Sequence, residues 1–263
     1  MDLGLTGRWA LVCGASRGLG FGCAQALVRE GVHVLMVARR PDVLAAAAAQ
    51  LAAEDAAASG AQVLHCAADI TTPEGRAAAF AIRADFDIVV TNAGGPPPGS
   101  WENWTKADYL KAIEANMLTP IALMTALMPA MIAKGWGRVV NITSQSVKAP
   151  IAQLGLSNAA RAGLTGFVGG TSRQVAPFGV TINNLLPGIH DTDRATALDA
   201  GVIAARGITA EAARAERCAG IPARRYGTAA EFGAVCAFLC SQHAGYIVGQ
   251  NILLDGGAMN ATL

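Results

Sequence analysis

Seven short apolar segments alternate with helix-like segments, and this alternation constrains the fold of the 263-residue chain more than any other feature. Helix-like composition, rich in alanine and leucine, covers stretches such as residues 42–58, 73–83 and 107–134. Continuous apolar strands separated by helices are typical of a parallel sheet that is covered on both faces. Because such crossovers are right-handed, we predict an α/β fold with a doubly wound parallel sheet. The predicted strands span residues 9–13, 33–38, 63–67, 87–92, 137–143, 181–186 and 251–254.

Three glycines at fixed spacing follow the first predicted strand: Gly14, Gly18 and Gly20. They open a helix that we predict over residues 21–30. Glycine has no Cβ, so the backbone can approach a pyrophosphate, and the free N–H groups of a helix N-terminus favour an anion. The sequence therefore predicts a nucleotide-binding turn in a single-domain, Rossmann-type sheet of about seven strands with helices on both faces. The candidate binding residues of this turn are Gly14, Ser16, Arg17, Gly18, Leu19 and Gly20.

The composition fits one globular domain over residues 1–263. With 52% hydrophobic residues, the chain can bury a large core. Only residues 192–222 interrupt the alternation of strands and helices, and we interpret them as a helical lid over the site. The net charge of +1 and the pI of about 7.6 argue against nucleic acid or an anionic membrane as the main partner.

The sequence also bears on location and on metal binding. Residues 1–8 lack the basic and apolar regions of a signal peptide, and we expect no uninterrupted apolar run long enough to span a bilayer. The six cysteines form no Cys-x-x-Cys pair, so we expect free, mostly buried thiols in a reducing cytoplasm. The four histidines lack metal-ligand spacing, so no metal site is predicted.

Six motifs occur in the order in which one enzyme family carries them. They are the glycine turn, Asp69-Ile70, Asn92-Ala93-Gly94, Asn116, Ser144, and Pro187-Gly188 with Thr192. On these motifs the chain resembles the short-chain dehydrogenase/reductases along nearly its whole length, in particular their 3-oxoacyl-acyl-carrier-protein reductase branch. The resemblance implies a nicotinamide-dependent oxidoreductase that acts on a small-molecule substrate.

The resemblance also implies a role for each cofactor motif. Asp69 and Ile70 would hold the adenine through a carboxylate and a backbone N–H group. The turn after the fourth strand would let the backbone pass close to the adenine ribose, although turn geometry alone also explains such residues. The segment after the sixth strand would cover the nicotinamide and bond its carboxamide or the pyrophosphate. These two segments contain Asn92, Ala93 and Gly94, and then Pro187, Gly188, Ile189 and Thr192.

The end of the second strand indicates which nicotinamide cofactor is used. A relative that prefers NAD would place a carboxylate there to bond the ribose 2′-hydroxyl. This chain has Ala38 followed by Arg39 and Arg40, and Arg17 lies in the glycine turn. Guanidinium groups match a 2′-phosphate, whereas a carboxylate would repel it. We therefore predict NADP(H), although Arg39 and Arg40 are also what a solvated helix entrance would carry.

The chain departs from the family at the catalytic residues. Members use a tyrosine as general acid and base, with a lysine four residues later. The ungapped register places Ser157 and Arg161 at these positions, whereas a rival register with two compensating gaps would place Leu154 and Asn158 there. Neither register supplies a tyrosine. The three tyrosines, at positions 109, 226 and 246, lie in segments that suggest packing.

This replacement changes the available chemistry. A serine hydroxyl is far less acidic than a phenol, and arginine stays protonated, so neither is a good proton donor. Arginine can still anchor ribose hydroxyls and stabilise a developing oxyanion. Lys148, in the loop after the fifth strand, is a candidate donor, and a solvated loop lysine is the equal alternative. The candidate catalytic residues are Ser144, Ser157, Arg161, Asn116 and Lys148.

Three functions fit these features. The first is an NADP(H)-dependent oxidoreductase with altered acid–base groups, acting on a carbonyl, an imine or an enone; Arg161 and Lys148 would suit an anionic substrate. The second is a weak or inactive NADP(H)-binding sensor or partner protein. The third is a reductase of small ketones that uses Ser144 and solvent. The resemblance further implies a homo-oligomer, a tetramer or dimer, with contacts through the helix predicted at residues 231–240 and the last strand.

Overall fold

A computed structural model of the chain describes residues 1–261, apart from the side chains of Val202 and Ala205. Its centre is one parallel sheet of seven strands in the order β3-β2-β1-β4-β5-β6-β7. The order reverses between β1 and β4, which is where open α/β sheets bind ligands at the strand carboxyl ends. The predicted fold is confirmed. The strands are β1 Trp9–Cys13, β2 His33–Ala38, β3 Val63–Ala67, β4 Ile88–Thr91, β5 Gly137–Ile142, β6 Val180–Pro187 and β7 Asn251–Leu254.

Helices cover both faces of the sheet. One buried cluster joins alternate strand residues such as Val12 to Leu27 and Phe232. A second cluster on the opposite face joins Leu11 and its neighbours to Met131. Because successive residues of a strand point to opposite faces, a single strand such as β1 contributes to both clusters. The helices are α1 Gly18–Arg29, α2 Pro41–Leu51, α3 Ala57–Ser59, α4 Pro73–Ile82, α5 Lys106–Ile113, α6 Thr119–Lys134, α7 Gly155–Val175, α8 Asp193–Arg206, α9 Ala210–Ala219 and α10 Ala229–Cys240.

Two helices predicted as continuous are interrupted by π-helical turns. The helix predicted over residues 42–58 contains the π turn Ala52–Ala56, and the one predicted over residues 107–134 contains Glu114–Leu118. In the first turn Asp55 is buried and accepts a hydrogen bond from Arg29 Nε at 2.6 Å. The second turn carries buried Asn116. Such single-turn insertions re-aim side chains and are frequent at functional sites.

The segment Lys106–Lys134 corrects one expectation. It is a helix long and apolar enough, by length and composition, to cross a membrane, so the expected lack of such a run is wrong. In this structure the π turn divides it, and Leu123, Met124 and Met131 of α6 are fully buried in the sheet-facing cluster. The apolar composition is therefore explained by packing against the sheet.

Helix α1, which begins in the glycine turn, packs closely on α10. A Cβ on Gly22 would lie 2.8 Å from the carbonyl carbon of Ala229, and one on Gly233 would lie 2.6 Å from that of Gly22. Both distances are too short for any side chain, so these two glycines set how closely the helices approach. The position of α1, and of the turn that it follows, therefore depends on α10.

The segment predicted as a lid contains two helices, α8 and α9, and its role as a lid over the site stays a prediction. Its interior is a small cluster around Tyr226 and Ile221. The Tyr226 hydroxyl donates to Asp199 at 3.1 Å, and Arg217 pairs with the same carboxylate at 2.7 Å. These polar contacts fasten α9 and the following loop to α8.

Candidate functional site

The glycine turn lies at the carboxyl end of β1, and one amide side chain holds it in shape. Gly14 and Gly18 have φ angles of +59° and +58°, which favour glycine. Asn92, just after β4, donates from Nδ2 to the Gly14 carbonyl at 3.4 Å. A Cβ on Gly20 would come within 2.8 Å of the same amide nitrogen. Asn92 thus supports the turn from the neighbouring strand, a role that the sequence did not indicate.

Arg17 and Thr192 join this turn to the lid. Arg17 forms an ion pair with Asp193, the first residue of α8. The methyl group of Thr192 lies 3.4 Å from the position of a Cβ on Gly18. The Thr192 hydroxyl donates to the His190 carbonyl at 3.3 Å. In this structure Arg17 therefore faces the lid. The sequence led us to expect its side chain beside Arg39 and Arg40, whereas the contact that it makes is with Asp193.

The ends of β2 and β3 carry the other cofactor candidates. Arg39 and Arg40 are exposed. Asp69 accepts hydrogen bonds from the backbone N–H and the hydroxyl of Thr71, at 3.0 and 2.8 Å. Partial burial opposes ionisation of Asp69, but the Thr71 hydrogen bonds and the charge of Arg39 lower the pKa of the carboxyl below its usual value. The charged Asp69 carboxylate and the exposed Arg39 guanidinium are thus close enough to interact. The Ile70 side chain is buried in the core.

The segment after β6 runs close to β7. The Gly188 N–H group donates to the Leu254 carbonyl at 2.8 Å, and the Ile189 carbonyl accepts from Gly227 at 3.0 Å. A Cβ on Gly188 would lie 2.6 Å from Asp255 Cα and 3.1 Å from Gln145 Oε1. Gly188 is therefore required for this approach, which fixes the path of the chain from Pro187 to the lid.

Ser157 and Arg161 lie on one face of α7 and are both buried. Arg161 Nε donates to Ser157 Oγ at 3.2 Å. Its Nη1 donates to the carbonyl of Ile142, at the end of β5, at 2.7 Å, and its Nη2 donates to that of Ala93, after β4, at 3.4 Å. The guanidinium thus sits where β4 and β5 end. In contrast, Asn158 of the rival register donates to the Ile151 carbonyl.

Burial makes the Arg161 guanidinium easier to deprotonate. The residue is 7% exposed, and this desolvation, with the nearby charge of Arg194, lowers the pKa of its guanidinium to about 10. Arg161 is still a cation at neutral pH. Its neighbours are backbone carbonyls and one hydroxyl, and among residues 1–261 it forms no ion pair with a carboxylate.

The remaining catalytic candidates differ in burial. Ser144 is half-buried, and its hydroxyl accepts from the Ser146 N–H group at 3.1 Å. Asn116 is buried in the π turn; its Nδ2 donates to the Ala112 carbonyl, while its Oδ1 has no hydrogen-bond partner within the described chain. Lys148 is exposed on the loop after β5. Its role as a proton donor stays a prediction.

The three tyrosines have different surroundings. Tyr226 is buried in the lid, where burial and then Asp199 raise the pKa of its hydroxyl. Tyr109 packs edge-on against Trp104. Tyr246 is fully exposed, so the packing expectation is wrong for this residue.

Within residues 1–261, no group of three His, Cys, Asp or Glu side chains is placed to hold a metal ion.

One residue near Arg161 was missed by the sequence reasoning. Arg194, the second residue of α8, donates to the carbonyls of Gly95 and Pro96 at 3.4 and 2.9 Å. The charged residues Asp191, Asp193 and Arg194 on either side of Thr192 were the available signal. The site as a whole combines the glycine turn, exposed guanidinium groups at the end of β2, and a buried cation with hydroxyl groups further along the same edge of the sheet.

Comparison with known proteins gives consistent matches over almost the whole chain. The family profile described as enoyl-(acyl carrier protein) reductase matches residues 14–259. The chain is 33% identical over 257 residues to the 3-oxoacyl-[acyl-carrier-protein] reductase FabG of Salmonella typhimurium, covering 95% of this chain and 97% of that protein. It is 30% identical over 258 residues to the NADPH-dependent reductase BacG of Bacillus subtilis, with 97% and 98% covered.

Solved structures show the same fold. L-Sorbose reductase from Gluconobacter frateurii, complexed with NADPH and L-sorbose, superposes with a TM-score of 0.92 at 27% identity, covering 99% of this chain and all of that one. YwfH, an NADPH-dependent reductase involved in bacilysin biosynthesis, superposes with a TM-score of 0.89 at 28% identity, with 97% and 99% covered.

Proposed function

This chain belongs to the short-chain dehydrogenase/reductase family, and we propose on that premise that it is an NADP(H)-dependent oxidoreductase with an atypical proton-transfer site. The reaction class is hydride transfer to or from a small carbonyl compound, an imine or an enone. Ser157 and Arg161 stand where relatives of this family use tyrosine and lysine. The observation that carries the proposal is the buried Arg161 guanidinium, bonded to Ser157 at the ends of β4 and β5.

The residues at the sheet edge fit NADP(H). The glycine turn carries no side chain of its own at Gly14, Gly18 and Gly20. Asp69 keeps one carboxylate oxygen beyond its Thr71 contacts. Exposed Arg39 and Arg40 supply the charge that a 2′-phosphate requires. The relative BacG is an NADPH-dependent reductase, and the structure of the sorbose reductase is a complex with NADPH. When bound, this cofactor supplies or accepts the hydride.

The protein side chains then orient the substrate and stabilise charge. Ser144 orients the reacting oxygen, and Arg161 stabilises negative charge that develops on it. Since Arg161 keeps its proton at neutral pH, the proton comes from Lys148 or from water, which Ser157 relays. A positioned general acid contributes about 10²- to 10⁴-fold. We therefore expect turnover that is slower than with a tyrosine in place.

A second function has one observation in its favour. Arg161 uses three of its nitrogens on groups of the protein itself, as a purely structural cation would. A catalytically weak NADP(H)-binding sensor or partner protein would keep the cofactor cradle and have this arrangement at the former proton-transfer site.

NADPH oxidation by the purified protein distinguishes the two functions. Ketones, aldehydes, imines and enones are tested, with NADH in parallel and with the variants Arg161→Ala and Ser144→Ala. Arg173→Ala is the matched control, because Arg173 lies on the same helix and, among the described residues, donates to the Gly169 carbonyl rather than to the site. We expect turnover that both site variants abolish and the control retains. NADPH binding in a thermal-shift assay without turnover of any compound would favour the sensor.

The assembly state belongs to the same proposal. Strand β7 ends the sheet, and near it Tyr246 and Phe238 are exposed aromatic residues. An open strand edge beside exposed aromatic side chains favours association of two copies. We expect a dimer or tetramer by size-exclusion chromatography with light scattering, and a monomer at every concentration would contradict this.

A further inference from the structure

Two arginine side chains from different parts of the chain approach the same point beside Gly95. That point is where the Cβ of a side chain on Gly95 would lie. Arg194 Nη2 is 3.4 Å from it, and Arg161 Nη2 is 3.9 Å from it. Both are van der Waals distances, so the two guanidinium groups lie on the same side of the Gly95 backbone and close to each other. Because residue 95 is a glycine, no side chain of its own separates them.

The acidic residues near Arg194 already have other partners. Asp191 pairs with Arg214 at 2.7 Å, and Asp193 pairs with Arg17. Neither Arg161 nor Arg194 forms an ion pair with a carboxylate within residues 1–261. Two positive charges therefore face one small space with no negative charge to balance them.

Such an arrangement is costly in the protein alone. A buried ion needs a counter-charge or full hydrogen bonding, and two like charges repel each other. Arg161 is buried and donates to carbonyl and hydroxyl oxygens of the described chain, whereas Arg194 is exposed, so the cost falls on Arg161. A planar anion with two oxygens matches the donor geometry of guanidinium groups and would remove the imbalance.

We propose that Arg161, Arg194 and Gly95 form a carboxylate-binding subsite and that the substrate is a short oxo acid. This inference rests on the proposed function. Arg161 Nη2 lies beside Gly95, and its Nε donates to Ser157. A carboxylate at Nη2 and a reacting carbonyl near Ser157 would therefore be separated by about the distance between two nitrogens of one guanidinium group. That separation suits 2-oxo and 3-oxo acids. Hydride adds to the carbonyl carbon and a proton to its oxygen, which gives the hydroxy acid and NADP⁺.

The test compares acids with their uncharged amides. With NADPH, kcat/KM is measured for acetoacetate and acetoacetamide, and for 2-oxobutanoate and 2-oxobutanamide. We expect the protein to prefer at least one acid over its amide, and Arg194→Gln to reduce that preference about 10- to 100-fold, as loss of a charged hydrogen bond does. Arg194→Lys should retain part of the preference. Gly95→Ala should reduce it without changing charge.

Arg206→Gln is the matched control, because Arg206 ends the same helix and pairs with Glu216 instead. It should leave the preference unchanged. An equal preference for acid and amide, or a preference that Arg194→Gln does not alter, would overturn the subsite while the proposed function stands.

A binding measurement separates the two proposals. Butyrate and butyramide are titrated calorimetrically into the protein with NADP⁺. Butyrate binding that Arg194→Gln abolishes, in the absence of any turnover, would support the subsite and contradict the proposed function. Turnover of amides without detectable butyrate binding would support the proposed function and contradict the subsite. If neither binding nor turnover occurs, both proposals fail.

Discussion

His190 is a buried titratable side chain in the segment between β6 and the lid. Its ring packs edge-on against Phe232 and lies 2.7 Å from the position of a Cβ on Gly227. Burial lowers the pKa of the imidazole, against weaker opposition from the Gly188 carbonyl and Glu231. The folded protein therefore resists protonation of His190, whereas the unfolded chain accepts a proton near pH 6.5.

This difference makes stability depend on pH in one direction. Below about pH 6.5 the unfolded state binds the extra proton, so the free energy of unfolding falls as the pH decreases. We expect His190→Gln to be less stable at pH 7.5 but to lose less stability between pH 7.5 and 5.5 than the natural protein. Urea unfolding at both pH values measures this. Parallel losses in the two proteins would contradict the assigned role of His190.

At the same scale, the sequence predicted that Ser157 and Arg161 share one helix face but not where the Arg161 side chain goes. Spacing on one helix face is a local property, so the contact between these two residues was predictable, while their role in place of tyrosine and lysine stays a prediction. The direction of a long side chain depends on which carbonyls β4 and β5 present, and Ile142 and Ala93 are far away in sequence. The same reason explains why Arg194 was missed.

At the scale of elements, the contact between α1 and α10 couples the cofactor turn to the far end of the chain. We expect Gly233→Ala to destabilise the protein by several kcal/mol, because overpacking a rigid contact costs about 1–3 kcal/mol and here backbone must move. NADPH binding should weaken as α1 shifts. Urea unfolding and calorimetric titration of NADPH measure both effects.

Gly170→Ala is the matched control for this prediction. Gly170 lies in α7, and beyond the backbone of that helix no heavy atom lies within 4 Å of where an alanine methyl group would be. Alanine there should stabilise the helix by about 0.5–1 kcal/mol. If Gly233→Ala behaved like Gly170→Ala, the close approach of α1 and α10 would not be a constraint.

Element boundaries were predictable where local signals mark them. Four of the seven predicted strands have the observed limits. Helix α10 begins after Thr228, whose side chain and that of Glu231 form a capping box. The π turns were not predictable, because burial of Asp55 and Asn116 depends on tertiary neighbours and leaves the apolar periodicity of a helix almost unchanged.

At the scale of the whole molecule, one exposed ion pair connects the cofactor turn with the lid. Arg17 cannot bind Asp193 and a 2′-phosphate equally well at the same time. An exposed pair is worth about 0.2–1 kcal/mol, so Asp193→Asn should tighten NADPH binding by about two- to five-fold. Binding of NADH, which has no 2′-phosphate, should change less. Calorimetric titration of both cofactors measures the difference.

Asp191→Asn is the control for this pair, because Asp191 binds Arg214 of α9 rather than the turn. It should alter neither affinity. Equal gains for NADPH and NADH in Asp193→Asn would show that Arg17 does not meet the 2′-phosphate.

The Arg17–Asp193 pair also bears on the order of events in each cycle. In this structure α8 is fastened to the turn that we propose for the dinucleotide. A dinucleotide that takes Arg17 releases the lid, whereas a substrate arriving first finds the lid still fastened. Since the pair is worth about 0.2–1 kcal/mol, it favours the order in which the dinucleotide binds first and leaves last. When the dinucleotide leaves, Arg17 pairs with Asp193 again, and α8 is fastened to the turn before the next cycle.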